Sequence, residues 1–268
     1  MSGFRFASLG SGSEGNALVA EVTEGGSVTR VMIDCGFGLR ECERRLERLG
    51  LAPASLSGVL VTHEHGDHIG GVERMARKHG VPVWMTYGTF VASNLGGVGP
   101  YKSEIDIQVH LIDHHEPFAI GGIEVHPFPV PHDAREPAQF VLSDGERRLG
   151  VLTDLGASTP HVEAMLAGCE ALVLECNHDG EMLRNGAYPA SLKARVGGRY
   201  GHLENAQAAA LLQSVAHPGL QHVIAAHLSQ QNNTPELAQA ALAAALGCAA
   251  DWVGIAEQEA GFGWRALD

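Results

Sequence analysis

Short apolar runs broken by glycine set the rhythm of this chain. Phe4–Leu9, Ala17–Val22, Val31–Asp34 and Val59–Thr62 have the length and the branched or aromatic content of strands. Between the last two, Leu39, Cys42, Leu46 and Leu49 recur at helical spacing and Gly50 follows. That spacing predicts a helix over Leu39–Leu49 with a glycine stop. Further strands are expected near Val81–Met85, Ile107–Ile112, Ile123–Phe128, Gln139–Leu142 and Leu149–Thr153, with Ser143-Asp144-Gly145-Glu146 as the hairpin turn between the last two. In the second half, Ala171–Leu174 and His222–Ala226 read as strands, and Glu204–Val215 and Pro235–Leu246 as helices. The last of these has Thr234 as N-cap, Pro235 in its first turn and Gly247 as its stop. Trp252–Trp264 should close the fold with a strand or two. No repeat or linker divides the chain, so one domain over residues 1–268 is expected. Two β-rich halves, each flanked by helices, predict a layered α/β architecture.

Composition narrows the class without naming the chemistry. A chain of 268 residues with 45% hydrophobic content has enough core to fold without staples. No apolar run approaches the ~18 residues of a membrane span, and the N-terminus, Met1-Ser2-Gly3-Phe4-Arg5, lacks a signal-peptide pattern. Five cysteines (Cys35, Cys42, Cys169, Cys176 and Cys248) form no CxxC pair, which fits a reduced, cytoplasmic setting. The net charge of −13 argues against a protein that coats nucleic acid non-specifically. Charge is uneven, however. From Arg184 to Leu203 the chain carries Arg184, Lys193, Arg195 and Arg199 and no acid.

The chemistry gathers at the end of the fourth strand. Thr62-His63-Glu64-His65-Gly66-Asp67-His68 packs three histidines and an aspartate into a loop. His63 and His65 alternate, so they can share one side of an extended segment. Asp67 and His68 follow the bend at Gly66 and can face a second ion. Imidazole and carboxylate suit zinc, manganese or iron(II), and the lack of cysteine favours catalytic over closed structural sites. Asp154 closes the apolar strand Gly150-Val151-Leu152-Thr153, where a buried carboxylate needs positive charge beside it. His132 stands at a proline-bounded bend past a strand, the place from which a side chain is aimed into a cleft. His126 and the His114-His115 pair compete with it, the pair on what reads as a solvated loop.

The motif resembles that of the metallo-β-lactamase superfamily at every ligand position. The resemblance implies a four-layer αββα sandwich with two divalent ions, Zn or Mn with Fe as a third option, at the edge of two sheets. It implies His63, His65 and His132 on one ion, Asp67, His68 and His227 on the other, and Asp154 between. A shared hydroxide would be the nucleophile, with Asp67 orienting it. Asp34, matching the family's first motif, would steady a ligand from behind; an ordinary strand-end aspartate capping a turn is the competing reading.

Three segments bear on the branch. Position 65 is histidine, where the redox branch has glutamate, and Pro131-His132-Asp133-Ala134 differs from the third motif of glyoxalase-type thiolesterases. Gly201-His202-Leu203-Glu204-Asn205 resembles the segment in which RNase Z-like phosphodiesterases carry a proton-shuttling histidine, and Glu175 matches the acid that orients it. At a helix N-terminus His202 should have a lowered pKa, which a partner carboxylate and a phosphate would raise again. Similarity to the YycJ/WalJ/VicX group runs over most of the chain. It is clearest in Gly10–Ala17, Glu175–Leu183, Tyr188–Val196, the His202 segment and His227–Asn233, with departures at Glu14, Glu204, Gln230 and Gln231. It implies a DNA or other phosphodiester substrate and 5′→3′ exodeoxyribonuclease-like hydrolysis, with His202 as general acid. Lys193, Arg195 and Arg199 would hold flanking phosphates, a solvated face of a loop or helix being the competing reading, and the glycine-rich loop 10–16 is a tight turn with backbone N–H groups within reach of a phosphate. A small-molecule phosphodiesterase for cyclic or dinucleotide substrates is the alternative, and a thiolesterase or lactonase of the same fold a more distant one.

Overall fold

The computed structural model of the protein describes residues 3–93, 95 and 107–268; Met1 and Ser2, at the head of the N-terminal stretch considered above, lie outside them. The strands are β1 (Gly3–Gly10), β2 (Ala17–Glu24), β3 (Ser27–Ile33), β4 (Gly58–Leu60), β5 (Val83–Thr86), β6 (Val109–Ile112), β7 (Phe118–Ile120), β8 (Ile123–Pro129), β9 (Ala138–Ser143), β10 (Arg148–Leu152), β11 (Ala171–Glu175), β12 (His222–Ala226), β13 (Gly254–Ile255) and β14 (Phe262–Leu267). They form two sheets, in the orders β14-β1-β2-β3-β4-β5-β6 and β13-β12-β11-β10-β9-β8-β7. The run β3 to β6 is parallel in the first sheet, and the run β10 to β13 is parallel in the second.

Alternation along the strands separates three apolar layers. Phe4, Phe6, Val31, Ile33 and Leu60 of the first sheet face Phe140, Leu142, Val151, Val173 and Ile224 of the second, forming the central layer. The intervening residues turn outward onto helices. Val19, Met32, Val59 and Val61 pack with Leu46 of α1 (Leu39–Arg48) and, after the short α2 (Gly66–Ile69), Val72 and Met75 of α3 (Val72–His79). On the other side, Leu172, Leu174, Val223 and Ala225 pack against helices of the C-terminal half. Those helices follow α4 (Tyr87–Ser93) and are α5 (Pro160–Leu166), α6 (Gly180–Asn185), α7 (Ala190–Val196), α8 (Asn205–Val215) and α9 (Pro235–Leu246), of which α5, α8 and α9 carry this layer. Strands apolar on both faces are what a sheet covered on both sides requires. The result is an αββα sandwich.

Caps fall where residue chemistry puts them. Thr234 accepts from Leu237 N–H at the start of α9, and Gly247 ends it in the left-handed conformation at φ 66°. Glu204 caps α8 in a reciprocal capping box with Gln207. The departure at Glu204 is thereby explained, since its carboxylate serves the helix start. Strand ends differ from the sequence expectation for physical reasons. Pro82 has no N–H for the ladder, so β5 begins at Val83. The fourth strand stops at Leu60, and the Thr62 N–H turns to the Asp34 carboxylate instead. The strand expected from Ile107 begins at Val109. Short elements were not anticipated: β7 and α2 to α7, although Thr159-Pro160 marks the start of α5 just as Thr234-Pro235 marks α9. No helix among the described residues is long and apolar enough to cross a membrane.

Phe140 is fully buried between the sheets. Phe140→Ala should cost about 3–5 kcal/mol of unfolding free energy, read as a lower urea midpoint at an unchanged slope. A loss below 1 kcal/mol would mean that the central layer does not carry the stability assigned to it.

Candidate metal centre

Each expected metal ligand, with Asp34 and Glu175, lies just past, or at, the C-terminal end of a strand, whereas His202 lies between α7 and α8. Asp34 follows β3, His63 to His68 follow β4, His132 follows β8, Asp154 follows β10, Glu175 is the last residue of β11, and His227 follows β12. The loops from both sheets therefore meet at one edge of the sandwich. Asp34, Asp154 and His227 have φ of 60°, 52° and 54°, and among the described residues they are the non-glycine residues with positive φ. Each such conformation costs roughly 1–3 kcal/mol and survives only where its surroundings impose it. All three are residues expected at the site.

The Thr62–His68 loop is held from behind. Asp34 accepts hydrogen bonds from the Thr62 N–H (2.8 Å) and the Thr62 hydroxyl (2.8 Å to Oδ2), and its Oδ2 lies 2.7 Å from His68 Nδ1. His68 Nε2 is thus turned toward the cleft, 2.5 Å from Asp154 Oδ2 and 3.4 Å from Asp67 Oδ2. Gly36 allows the loop to sit this close, because a Cβ there would fall 1.7 Å from the Asp67 carbonyl oxygen. His132 is fixed through Nδ1, 3.0 Å from the Gly201 carbonyl, which leaves Nε2 3.3 Å from His65 Nδ1.

Donor atoms collect into overlapping groups. His63, His65 and His132 offer nitrogens within 4.8 Å of one another, as do the donors of Asp67, His68 and His227, and those of His63, His68 and Asp154. Asp154 reaches both sides: Oδ2 lies 3.7 Å from His63 Nε2, and Oδ1 lies 3.4 Å from His227 Nδ1. Glu175 is a hub beneath them. Its Oε1 is 2.7 Å from His202 Nδ1 and 3.3 Å from His227 Nδ1, while Oε2 accepts from the Leu155 and Leu203 N–H groups. His202 lines the open cleft, a space of about 340 Å³ shared with Asp67, Asp133, Leu192, Arg195 and Val196.

The sequence profile of the β-lactamase superfamily domain matches residues 29–228. The chain is 36% identical over 238 residues to exodeoxyribonuclease YycJ of Bacillus anthracis, covering 88% of this chain and 87% of that one. It is 30% identical over 254 residues to exodeoxyribonuclease WalJ of Streptococcus pneumoniae serotype 2, covering 94% and 92%. Among solved structures, the metallo-β-lactamase fold protein YhfI from Bacillus subtilis superposes with a TM-score of 0.72 at 14% identity, over 98% of this chain and 99% of that one.

The chain belongs to the metallo-β-lactamase superfamily. It is a metal-dependent hydrolase, and over most of its length it resembles the YycJ/WalJ exodeoxyribonucleases.

The electrostatics of this metallo-β-lactamase site call for cations. Burial opposes charge on His202 more than any other single influence, yet the Glu175 charge and the hydrogen bonds to Asp154 and Glu175 outweigh it and lift the pKa to about 11. Burial likewise opposes charge on His227, and Asp154, Asp67 and Glu175 overcome it to give about 9. His68 is raised in the same way by Asp154 and Asp34. The carboxylates are correspondingly stabilised as anions: against the cost of burial, the His202 and His227 interactions hold Glu175 at about 2. His63 goes the other way, pulled well below its usual value by burial and then by the charge of His68. Meanwhile His63 Nε2 is buried without a hydrogen-bond partner, and both buried Asp154 oxygens face imidazole nitrogens, Oδ2 at 2.5 Å from His68 Nε2 and Oδ1 at 2.9 Å from His202 Nδ1. An enclosed donor atom left free, and carboxylates that draw protons onto neighbouring imidazoles, fit a centre for divalent ions.

The other expected residues are not all brought to the cleft. Arg195 lines it, with Nε 2.6 Å from Asp133 Oδ2. The Lys193 ammonium donates to the Arg184 carbonyl, Arg199 is exposed, and neither lines the cleft. His126 lies on β8 beside Glu124, away from it. His114 sits in the expected turn but is half-buried rather than solvated, against Glu136, with Nε2 enclosed. Glu14 is exposed on the 10–16 loop, and only Ser13 of that loop lines the cleft.

Two supporting residues escaped the sequence reading. The Asn16 carboxamide accepts from Ser11 Oγ and the Gly12 N–H, and its Nδ2 lies 3.3 Å from the Asp67 carbonyl and 3.2 Å from His68 Nε2. Asn177 Nδ2 donates to the His227 carbonyl at 3.1 Å. Asn16 looked like a turn residue, and nothing in spacing distinguishes a turn asparagine from one that braces a distant loop.

Asp34→Ala removes the only acid that touches His68 Nδ1 from behind, so metal affinity should fall about 10–100-fold. Competition against a chromophoric chelator would measure it. Unchanged affinity would mean that His68 needs no such partner.

Proposed function

We propose that this chain is a dinuclear-metal phosphodiesterase that degrades DNA from the 5′ end. The observation that carries the reading is the Glu175–His202 pair, 2.7 Å apart and beside the cleft-facing Asp154 carboxylate. A histidine held by a buried acid at the open side of a metal cluster is placed to give a proton to a leaving oxygen, which phosphoryl transfer needs and the ligands themselves do not supply. The exodeoxyribonuclease names of the two relatives that span most of the chain point to the same substrate class.

In this reading His63, His65 and His132 would hold one ion and Asp67, His68 and His227 the other, and Asp154 would be shared. Zinc and manganese both suit this nitrogen and oxygen set. Ions bound there would supply charge for the non-bridging phosphoryl oxygens and a water of lowered pKa. The protein's own part is orientation and proton transfer. Asp67, partly open to the cleft, accepts a hydrogen bond from the attacking water. Glu175 keeps His202 protonated and fixes Nδ1, leaving Nε2 for the substrate. As the new P–O bond forms and the old one breaks, the Nε2 proton passes to the departing oxygen. Arg195 sits where a flanking phosphate would replace Asp133 as its partner, a planar donor suited to that exchange.

The test is degradation of end-labelled DNA by manganese-loaded protein. Label should be released first from the 5′ end. His202→Ala should slow cleavage about 10²–10⁴-fold while retaining both ions. Full activity in that variant would remove the general-acid role. If no polynucleotide is cut but bis(p-nitrophenyl) phosphate is hydrolysed briskly, the substrate is a small cyclic or dinucleotide phosphodiester. Turnover of an acyl-glutathione in preference to either would place the chain among the thiolesterases.

A further inference from the structure

Gln139 is a fully buried polar residue in strand β9, which is apolar apart from it and the terminal Ser143, and neither the metal centre nor the proton transfer uses it. Its position in the ladders is unusual. Backbone pairing between β9 and β10 runs from Arg148↔Ser143 to Val151↔Phe140 and goes no further. On its other side Gln139 pairs with Phe128 of β8. Beyond Val151 the Gln139 side chain takes over from the backbone: Oε1 accepts from the Thr153 N–H at 3.1 Å, and Nε2 donates to the Thr153 carbonyl. A carboxamide has one acceptor and two donors in a plane, so it can imitate a backbone peptide and carry the ladder forward by one residue.

That residue is the one before Asp154. On the far side, the Leu155 N–H is held at 2.7 Å by Glu175 Oε2. Asp154 is therefore clamped at both flanking peptides while its own backbone is in the left-handed region, at φ 52°. Its two carboxylate oxygens are buried and face the imidazoles of the centre, Oδ2 2.5 Å from His68 Nε2 and Oδ1 2.9 Å from His202 Nδ1. An unfavourable backbone conformation that ends in a carboxylate aimed into such a cluster needs its neighbours fixed from outside.

We propose that Gln139 is a positioning residue for the metal centre: it holds Thr153 so that Asp154 turns its carboxylate between the two ions. This rests on the assignment of Asp154 as the shared ligand. Nothing about Gln139 touches substrate, so its effect should appear in metal affinity first and in rate only as a consequence.

The experiment compares wild type with Gln139→Met, which keeps the volume and loses both hydrogen bonds, and Gln139→Glu, which keeps an acceptor for the Thr153 N–H and loses the donor to its carbonyl. Metal stoichiometry after gel filtration, chelator competition and melting midpoints with and without manganese are read for each. Gln139→Met should bind metal about 10–100-fold more weakly, show a smaller rise in melting midpoint on adding manganese, and regain most activity at high manganese. Gln139→Glu should fall between it and wild type, and it carries the test if the Met variant does not fold. Wild-type metal affinity in a folded variant would overturn the proposal. So would a drop in melting midpoint that is equal with and without metal, which marks a purely structural role. If Asp154→Ala still holds both ions as tightly as wild type, it is the ligand assignment beneath the proposal that fails.

Discussion

A buried carboxylate, Asp154, sits at the centre of the site, and much of the molecule is arranged around keeping it there. Taking such a charge out of water costs several kcal/mol or more. The protein offsets that cost with imidazoles on every side, at His63, His68, His202 and His227, and with Glu175 and Asp34 placed to tune them. With protons alone, the cluster makes strong bases of His68, His202 and His227. Divalent ions answer the same electrostatic demand with charges that need no hydrogen-bond geometry. The site's chemistry follows from its electrostatics.

The fold supplies the edge on which this becomes possible. Parallel runs in both sheets end at the same side, and side chains just past parallel strand ends converge there. Three apolar layers hold the sheets in register, so loops separated by more than a hundred residues meet within hydrogen-bonding distance. The left-handed turns at Asp34, Asp154 and His227 are the local consequence. At each, the chain has left a buried strand, and the side chain must be swung back over the sheet edge rather than onward into solvent. The strain is stored at buried positions along the cleft edge.

Behind the donors lies a shell of neutral amides. Asn16 braces the Asp67–His68 loop, Asn177 holds the His227 backbone, and Gln139 extends the β9–β10 ladder. Carboxamides suit this place because they satisfy buried peptide groups without adding charge to a cluster already crowded with it. The same logic separates the two glutamates near His202. Glu175 is ionised and buried because it faces imidazoles, whereas Glu204 turns its charge onto the N-terminus of α8.

The chain's own order of residues determined a good deal. Local signals do not depend on the rest of the molecule: the period of Leu39, Cys42 and Leu46, the Thr234-Pro235 cap and Gly247 stop, and the dense ligand spacing of His63 to His68. They placed the long helices, most strands and the first half of the centre. Asp154 could be singled out as a carboxylate closing an apolar run and His132 as a histidine at a proline-bounded bend, while His227 came from the resemblance to the family. Tertiary structure alone decided the rest. Arg195, Lys193 and Arg199 share one basic stretch, yet only Arg195 reaches the cleft, because the turn of a short helix sends neighbouring side chains in different directions. Asn16 and Gln139 carry no pattern at all. Their roles arise from contacts across 51 residues and across the end of a strand ladder, and such contacts exist only after the strands of each sheet have paired.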